Sequence, residues 1–370
     1  MNNRIWFAWH RWLGLVAGLF AVSLSLTGAF LALRHPYERT ANRAALVVRP
    51  TGPRLPYDQL LAAASRQVPD FQFYDRADLP QAPDQALELH HLPNGHYASV
   101  FVDPYTGRVT GGLGPGHFSR TLLRFHWSFA LGESGYVGAV VALLVALCML
   151  GAVVTGAVVY RKHLRKVLLF RERVAWQGGR RTVASLHRVL GVWAWLFMLV
   201  LFSTGAYLNY ITVSGSFTYA TPAELRQPPQ QPLASAGASA DRMLAQARRA
   251  LPGLQATAFT FPQQLGGGYT VEGRLPTDNA LLTPLNVVNF NAQGRLLRVD
   301  RGRDASARTK LENLLFALHF ATYGGLALKL LYCLMGVLSG SLPITGALLW
   351  WQRERQAKKQ VGRRTPPSSH

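Results

Sequence analysis

Residues 10–29 read HRWLGLVAGLFAVSLSLTGA, with His10 at one end of an apolar run and Thr27-Gly28-Ala29 at the other. Residues 187–206 read HRVLGVWAWLFMLVLFSTGA. His, Arg, Leu, Gly, Leu, Phe, Thr, Gly and Ala return at the same offsets without a gap. Two further apolar stretches follow the pattern more loosely. His126 precedes Thr155-Gly156-Ala157, and His319 precedes Thr345-Gly346-Ala347.

The uncharged run Leu13–Leu33 is long enough to cross a hydrocarbon core of ~30 Å. Trp6, Trp9 and Trp12 flank it as interfacial aromatics do. It exceeds the roughly 7–15 apolar residues of a cleavable signal, and no A-x-A-like site follows, so it is expected to remain as an anchor. Similar runs at Tyr136–Tyr160, Val189–Tyr210 and Leu326–Trp351 predict three more spans.

Composition agrees with this reading. Of 370 residues, 49% are hydrophobic and 15% charged, against about 25% charged in an ordinary soluble chain. The net charge of +21 would suit nucleic acid, but its distribution argues against that partner. Much of the excess sits beside apolar runs, at Arg4 and Arg11, across Arg161–Arg181, and from Arg353 to Arg364. Cationic residues gathered on one side of the spans are the positive-inside signature, which places both termini in the cytoplasm. The two cysteines, Cys148 and Cys333, lie inside apolar runs and imply no disulfide framework.

The predicted organisation is an α-helical membrane protein with four transmembrane helices in two tandem repeats. Residues 1–35 hold the cytoplasmic N-terminus and helix 1, and 36–120 form a soluble α+β domain. Residues 121–160 bring helix 2, 161–186 a basic cytoplasmic loop, and 187–210 helix 3. A second α+β domain covers 211–310, helix 4 covers 311–352, and 353–370 is a basic tail. In the first inserted domain, Tyr57–Gln67 reads as a helix. Ala86–His91 and His96–Val102 read as strands around a Pro93-Asn94-Gly95 turn, and Asp103–Gly107 as a second turn. In the second, Gln227–Ala240 reads as a linker and Ala240–Leu251 as a helix. Strands are expected at Ala256–Phe261, Tyr269–Val271, Asn286–Phe290 and Arg295–Val299. Two halves of the same orientation imply a pseudo-twofold axis along the membrane normal.

Ionisable residues at membrane helix ends mark candidate sites. Successive spans are antiparallel, so His10 and His187 fall on the cytoplasmic side and His126 and His319 on the other. Each pair is related by the duplication and can face a shared axis. Bis-imidazole ligation of one haem iron per pair follows, since helical bundles build cofactor sites from facing helices. His126 and His319 are followed by short irregular stretches, which suggests that they sit on short helices above the bilayer. Gly156 and Gly346 share a layer with the first pair, and Gly28 and Gly205 with the second. Such glycines offer a flat macrocycle space, or simply let helices approach. His35 and His163 also lie near span ends, as reserve ligands without counterparts in the other repeat. His90, His91, His96 and His117 read as solvated residues of the first inserted domain. No carboxylate lies within the spans and no cysteine joins the histidines, so zinc and di-iron sites are poorly supported. Without C-x-x-C-H, covalent haem is not expected.

The HRWLGL and HRVLGV helix starts, the TGA helix ends and the Val102-Asp103-Pro104-Tyr105-Thr106-Gly107 turn resemble the PepSY-associated transmembrane family over nearly the whole chain. The second inserted domain departs from the pattern, with Asn291-Ala292-Gln293-Gly294 where DPYTG would stand. The resemblance implies two PepSY-like periplasmic domains and an inner-membrane ferric-siderophore reductase carrying two b-type haems. Its substrate would be a ferric siderophore, reduced in the periplasm to release Fe(II). No GxGxxG fingerprint follows a predicted strand, so the electron donor is expected to be separate, a quinol or a cytoplasmic flavin reductase. Arg295, Arg298, Arg301, Arg303, Arg308 and Lys310 form a basic run before His319. It would contact lipid headgroups or water, or steer an anionic chelate. The competing readings are a membrane cytochrome b that relays electrons to another protein, and a non-redox binding or transport component.

Overall fold

A computed structural model of the chain describes residues 3–68, 74–91, 98–114, 116–132, 135–215, 238–262 and 267–362. It divides into two compact units, one of Met1–Leu33, Leu122–Phe217 and Leu318–His370, the other of Arg34–Thr121 and Thr218–Ala317.

The first unit is built on four long helices, each apolar and long enough to cross a membrane: α1 (Asn3–Ala32), α6 (Tyr136–Leu168), α7 (Gly179–Val213) and α10 (Leu326–Gly362). All four are longer than the apolar runs, because arginine and lysine stems extend each helix past the hydrocarbon boundary. α1 packs on α6 and α10, and α7 packs on the same two helices. Small residues fill these seams: Ala17 and Ala21 on α1, Ala139, Ala142 and Ala146 on α6, and Ala194 on α7 are all buried. In lipid no hydrophobic effect draws helices together, so close backbone approach and dispersion must do so. Large apolar side chains point outward instead. Leu19 is 80% exposed and Leu196 62%, which suits an acyl-chain solvent rather than water. The chain is a multi-pass membrane protein.

Two short helices complete this end of the chain. α5 (Phe118–Ser128) carries His126, and α9 (Ala307–Phe320) carries His319. The expectation that these two histidines stand on separate short helices is met. Left-handed residues at Phe129 and Ala130, and at Ala321, end the two helices.

The second unit holds α2 (Arg34–Ala41), α3 (Arg43–Leu46), α4 (Tyr57–Gln67) and α8 (Ala240–Ala250). Its strands are β1 (Tyr74–Asp78), β2 (Leu87–His91), β3 (Ala98–Val102), β4 (Val109–Leu113), β5 (Gln255–Thr260), β6 (Tyr269–Arg274), β7 (Asn286–Phe290) and β8 (Leu296–Asp300). They form one antiparallel sheet in the order β4-β3-β2-β1-β5-β6-β7-β8. The two inserted segments, expected as separate domains, therefore share a sheet. β1 pairs β5 with Ala77 opposite Phe259. The physical reason is the edge: alone, each four-stranded sheet would leave β1 or β5 with unpaired backbone groups. Neither β1 nor β4 stood out in the sequence. The Pro93-Asn94-Gly95 turn and the linker through residue 237 lie outside the described residues.

Alternation decides which face is covered. Leu87 and Leu89 on β2, Phe259 on β5, Tyr269 and Val271 on β6, and Val288 and Phe290 on β7 join Leu60, Leu61, Met243 and Leu244 of the two helices in one core. The β7–β8 hairpin shows why Asn291–Gly294 can replace DPYTG. Asp103 Oδ1 accepts from the Tyr105 amide and Asn291 Oδ1 from the Gln293 amide. Gly107 and Gly294 then take φ of 73° and 71°. An Asx turn closed by a left-handed glycine is the shared requirement.

α4 and α8 cap each other. The Tyr57 and Asp58 amides donate to the Asp241 carboxylate, both at 2.9 Å. The Ala240 amide donates to Asp58 at 2.8 Å, and the Ser239 hydroxyl donates to the same carboxylate. Each aspartate also meets the positive end of the other helix's dipole. Asp241→Ala is expected to cost about 1–3 kcal/mol and to speed hydrogen exchange at the Tyr57 and Asp58 amides. Unchanged exchange there would show that water replaces the carboxylate without loss.

Candidate functional site

The first unit brings the four span-end histidines together two by two. His10 on α1 and His187 on α7 place their ring centroids 6.1 Å apart. His126 on α5 and His319 on α9 place theirs 6.3 Å apart. A single metal ion between two imidazole Nε2 atoms, at about 2.0–2.1 Å from each, sets centroids roughly 6–6.5 Å apart.

The Thr-Gly-Ala motifs are the seats of these rings. Cβ atoms added at Gly156 and Gly28 would lie 2.9 Å and 3.0 Å from Cε1 of His10 and His126. The corresponding distances are 3.3 Å from Gly205 to His319 and 3.5 Å from Gly346 to His187. The space beside each glycine is thus taken by an imidazole. The layers are those expected from the antiparallel spans.

Each seat also determines the tautomer. Thr27 Oγ1 donates to the Ser23 carbonyl at 2.7 Å, so it accepts from His126 Nδ1 at 2.8 Å. Thr204 Oγ1 donates to the Val200 carbonyl and accepts from His319 Nδ1 at 2.9 Å. Thr345 Oγ1 donates to the Leu342 carbonyl and accepts from His187 Nδ1 at 2.8 Å. His10 Nδ1 instead donates at 2.8 Å to the Ala152 carbonyl, three residues before Thr155. In all four rings the proton is on Nδ1, which leaves the Nε2 lone pair for a metal. Such a bond on the far nitrogen is how ligand histidines are oriented.

Neither pair has a third His, Cys, Asp or Glu within metal-binding reach among the described residues. Two imidazoles alone leave an ion's equatorial positions unfilled. A cavity of about 570 Å³ adjoins the first pair. Met149, Trp195, Met198 and Leu342, from the middles of their helices, line its apolar part. Arg180, Arg181 and Arg353, from helix ends, line its basic part. A donor set of two imidazoles beside an amphipathic cavity fits an iron that brings its own planar four-nitrogen ligand.

The reserve ligands are placed elsewhere. His163 Nδ1 and Glu172 Oε2 are 2.7 Å apart, and Glu172 also pairs with Arg188. His35 stands on α2, in the second unit. His90 departs from its solvated reading: it is 8% exposed, on β2. Its Nε2 is 2.8 Å from Asp78 Oδ2 and 3.8 Å from Glu88 Oε1. Alternation on β2 placed Glu88 and His90 on one face. Asp78 was missed because its strand, and the register that sets it against Glu88, were not legible. Burial acts to raise the Asp78 carboxyl, but the His90 hydrogen bond and the Arg76 charge outweigh it, and the group stays below its ordinary range. Arg76 on Asp78 and Arg120 near Glu88 already supply positive charge, which opposes a cation there. His117 Nδ1 and Ser119 Oγ are 2.9 Å apart. The side chains of His91 and His96 lie outside the described ones. In the basic run, Arg298 pairs with Asp300, Arg303 with Asp304 and Arg308 with Glu312, which leaves less charge to steer an anion.

The sequence model of the family described as "PepSY-associated TM region" matches residues 7–353. That match includes all four histidines and both inserted segments. No curated protein matches the chain.

Proposed function

This chain belongs to the PepSY-associated TM family, and from that premise we propose that it is an inner-membrane di-haem b reductase. It would carry electrons across the membrane to a ferric siderophore in the periplasm and release Fe(II) for uptake. The observation that carries this reading is the pair of facing imidazoles at each end of the bundle, with every Nδ1 proton tied to an oxygen acceptor. Haem bound at each pair would supply reversible one-electron carriage. The protein's own part is ligation, orientation and exclusion of water. Thr27, Thr204, Thr345 and the Ala152 carbonyl hold the rings, and lipid-facing helices keep the sites dry.

In this reading the two tandem repeats each give one ligand to each haem. His10 and His187 hold the cytoplasmic haem, and His126 and His319 the periplasmic one. The termini are cytoplasmic, and the shared sheet stands in the periplasm. The substrate's Fe(III) gains one electron. A hydroxamate or catecholate chelator holds hard Fe(III) tightly and Fe(II) less well, so the metal leaves and the chelator survives. The electron comes from a separate donor, a quinol or a cytoplasmic flavin reductase.

The test is spectroscopic. Purified protein should show a Soret band with two haems per chain, and a ferric siderophore should rapidly reoxidise the reduced protein. A missing Soret band would sink the haem reading and leave the non-redox binding role. Haem that no ferric chelate oxidises would leave the relay cytochrome instead.

A further inference from the structure

The arginines of the two HR pairs have no role in the site so far. Arg11 and Arg188 directly follow His10 and His187, and both line the 570 Å³ cavity. In both, Nε is buried and has no hydrogen-bond partner among the described residues. The Arg11 guanidinium lies over the Trp12 ring, 5.1 Å from its centroid. The Arg188 guanidinium meets Glu172 through Nη1, which leaves Nε unused. A buried polar atom without a partner is costly, and more so when it is charged. Two such atoms at one cavity, repeated by a duplicated motif, point to a missing acceptor.

We propose that Arg11 and Arg188 bind the carboxylates of the group held between His10 and His187, which for haem are its two propionates. The assignment rests on the haem reading above. Guanidinium and carboxylate match in charge and in fork geometry. The cavity's polarity agrees, with methionine, tryptophan and leucine deep in the span and arginine at the helix ends. The acidic edge of the macrocycle would then face the basic rim, and its apolar edge the middle of the bundle. The HR dipeptide becomes one recognition unit: the histidine takes the iron and the arginine the acid. A phosphate from a lipid headgroup has similar chemistry and is the alternative acceptor.

The full chain, stripped of haem and offered haem or haem dimethyl ester, separates these sources. His126→Ala keeps only the first site in view. Haem should be retained at least tenfold better than the ester, and Arg11→Gln should shrink that preference. Arg11→Gln should also lower the midpoint potential of the first-site haem, because a nearby cation disfavours the ferric state. Arg188→Gln also breaks the Glu172 pair, so Arg11→Gln is the cleaner variant. Equal retention of haem and ester, with midpoints unchanged in both arginine variants, would overturn the assignment. Equal retention that rises with anionic lipid would overturn it in favour of the headgroup. A protein with no Soret band at all would instead bring down the haem reading itself.

Discussion

His126→Ala or His319→Ala is expected to remove one of two haems and about half of the Soret absorbance, with the other haem kept. His10→Ala or His187→Ala should remove the complementary haem. The reason is the ligand count. Each pair supplies two imidazoles, and neither has a third donor among the described residues, so one substitution leaves an iron with a single protein bond. The sites are also far apart. On α1, Gly28 seats His126 while His10 belongs to the other pair, and the helix rises roughly 27 Å from one to the other. Loss at one end should therefore leave the spectrum of the other intact. Reoxidation of the remaining haem by a ferric chelate should fail when the periplasmic haem is lost and persist when only the cytoplasmic one is lost, because the periplasmic haem is the one that meets the substrate. Full occupancy of both haems in any of the four variants would overturn the pairing.

The second large effect concerns the seats. Gly156→Ala should lower occupancy of the first site sharply, while Gly346→Ala in the same site should be tolerated. The new methyl at position 156 would lie 2.9 Å from His10 Cε1 and 3.2 Å from Nδ1, whereas at 346 it would meet His187 Cε1 at 3.5 Å. The second distance is ordinary contact. The first forces the ring to shift, and that shift loosens the Nδ1 bond to the Ala152 carbonyl. Losing an orienting bond of this kind typically costs about 10–100-fold in metal affinity. Gly28→Ala, at 3.0 Å from His126 Cε1, should resemble Gly156→Ala at the other end. Haem-to-protein ratios after purification would check the series. Equal occupancy in Gly156→Ala and Gly346→Ala would show that the rings move freely and that the glycines serve only helix approach.

Much of the inserted unit could be read from local chemistry. α4 at Tyr57–Gln67 follows from Leu60, Leu61 and Ala64 on one face, and the structure has the same bounds. β7 at Asn286–Phe290 reads as a strand-like run bounded by the Asn291–Gly294 turn, and it too has the expected bounds. β1 was hidden because its residues, YDRAD, are mostly polar and show no apolar alternation. The joining of two segments into one sheet was hidden for a different reason. It depends on β1 meeting β5, strands separated by most of the chain, and no local pattern encodes that pairing.

The membrane bundle divides in the same way. Apolar length, the HR starts and the TGA ends were enough to determine four spans, their antiparallel order and which histidines share a layer. Those properties follow from helical rise and from the cost of charge in lipid, and both are local. Only the tertiary structure decided what the motifs touch. Thr-Gly-Ala read as room for a macrocycle, and in the folded chain it receives an imidazole ring and fixes its proton. Arg11 read as one of the cations gathered on the cytoplasmic side, and in the folded chain its Nε is buried at the cavity. Both depend on side chains from helices distant in sequence meeting within a few ångströms, which periodicity along one helix cannot specify.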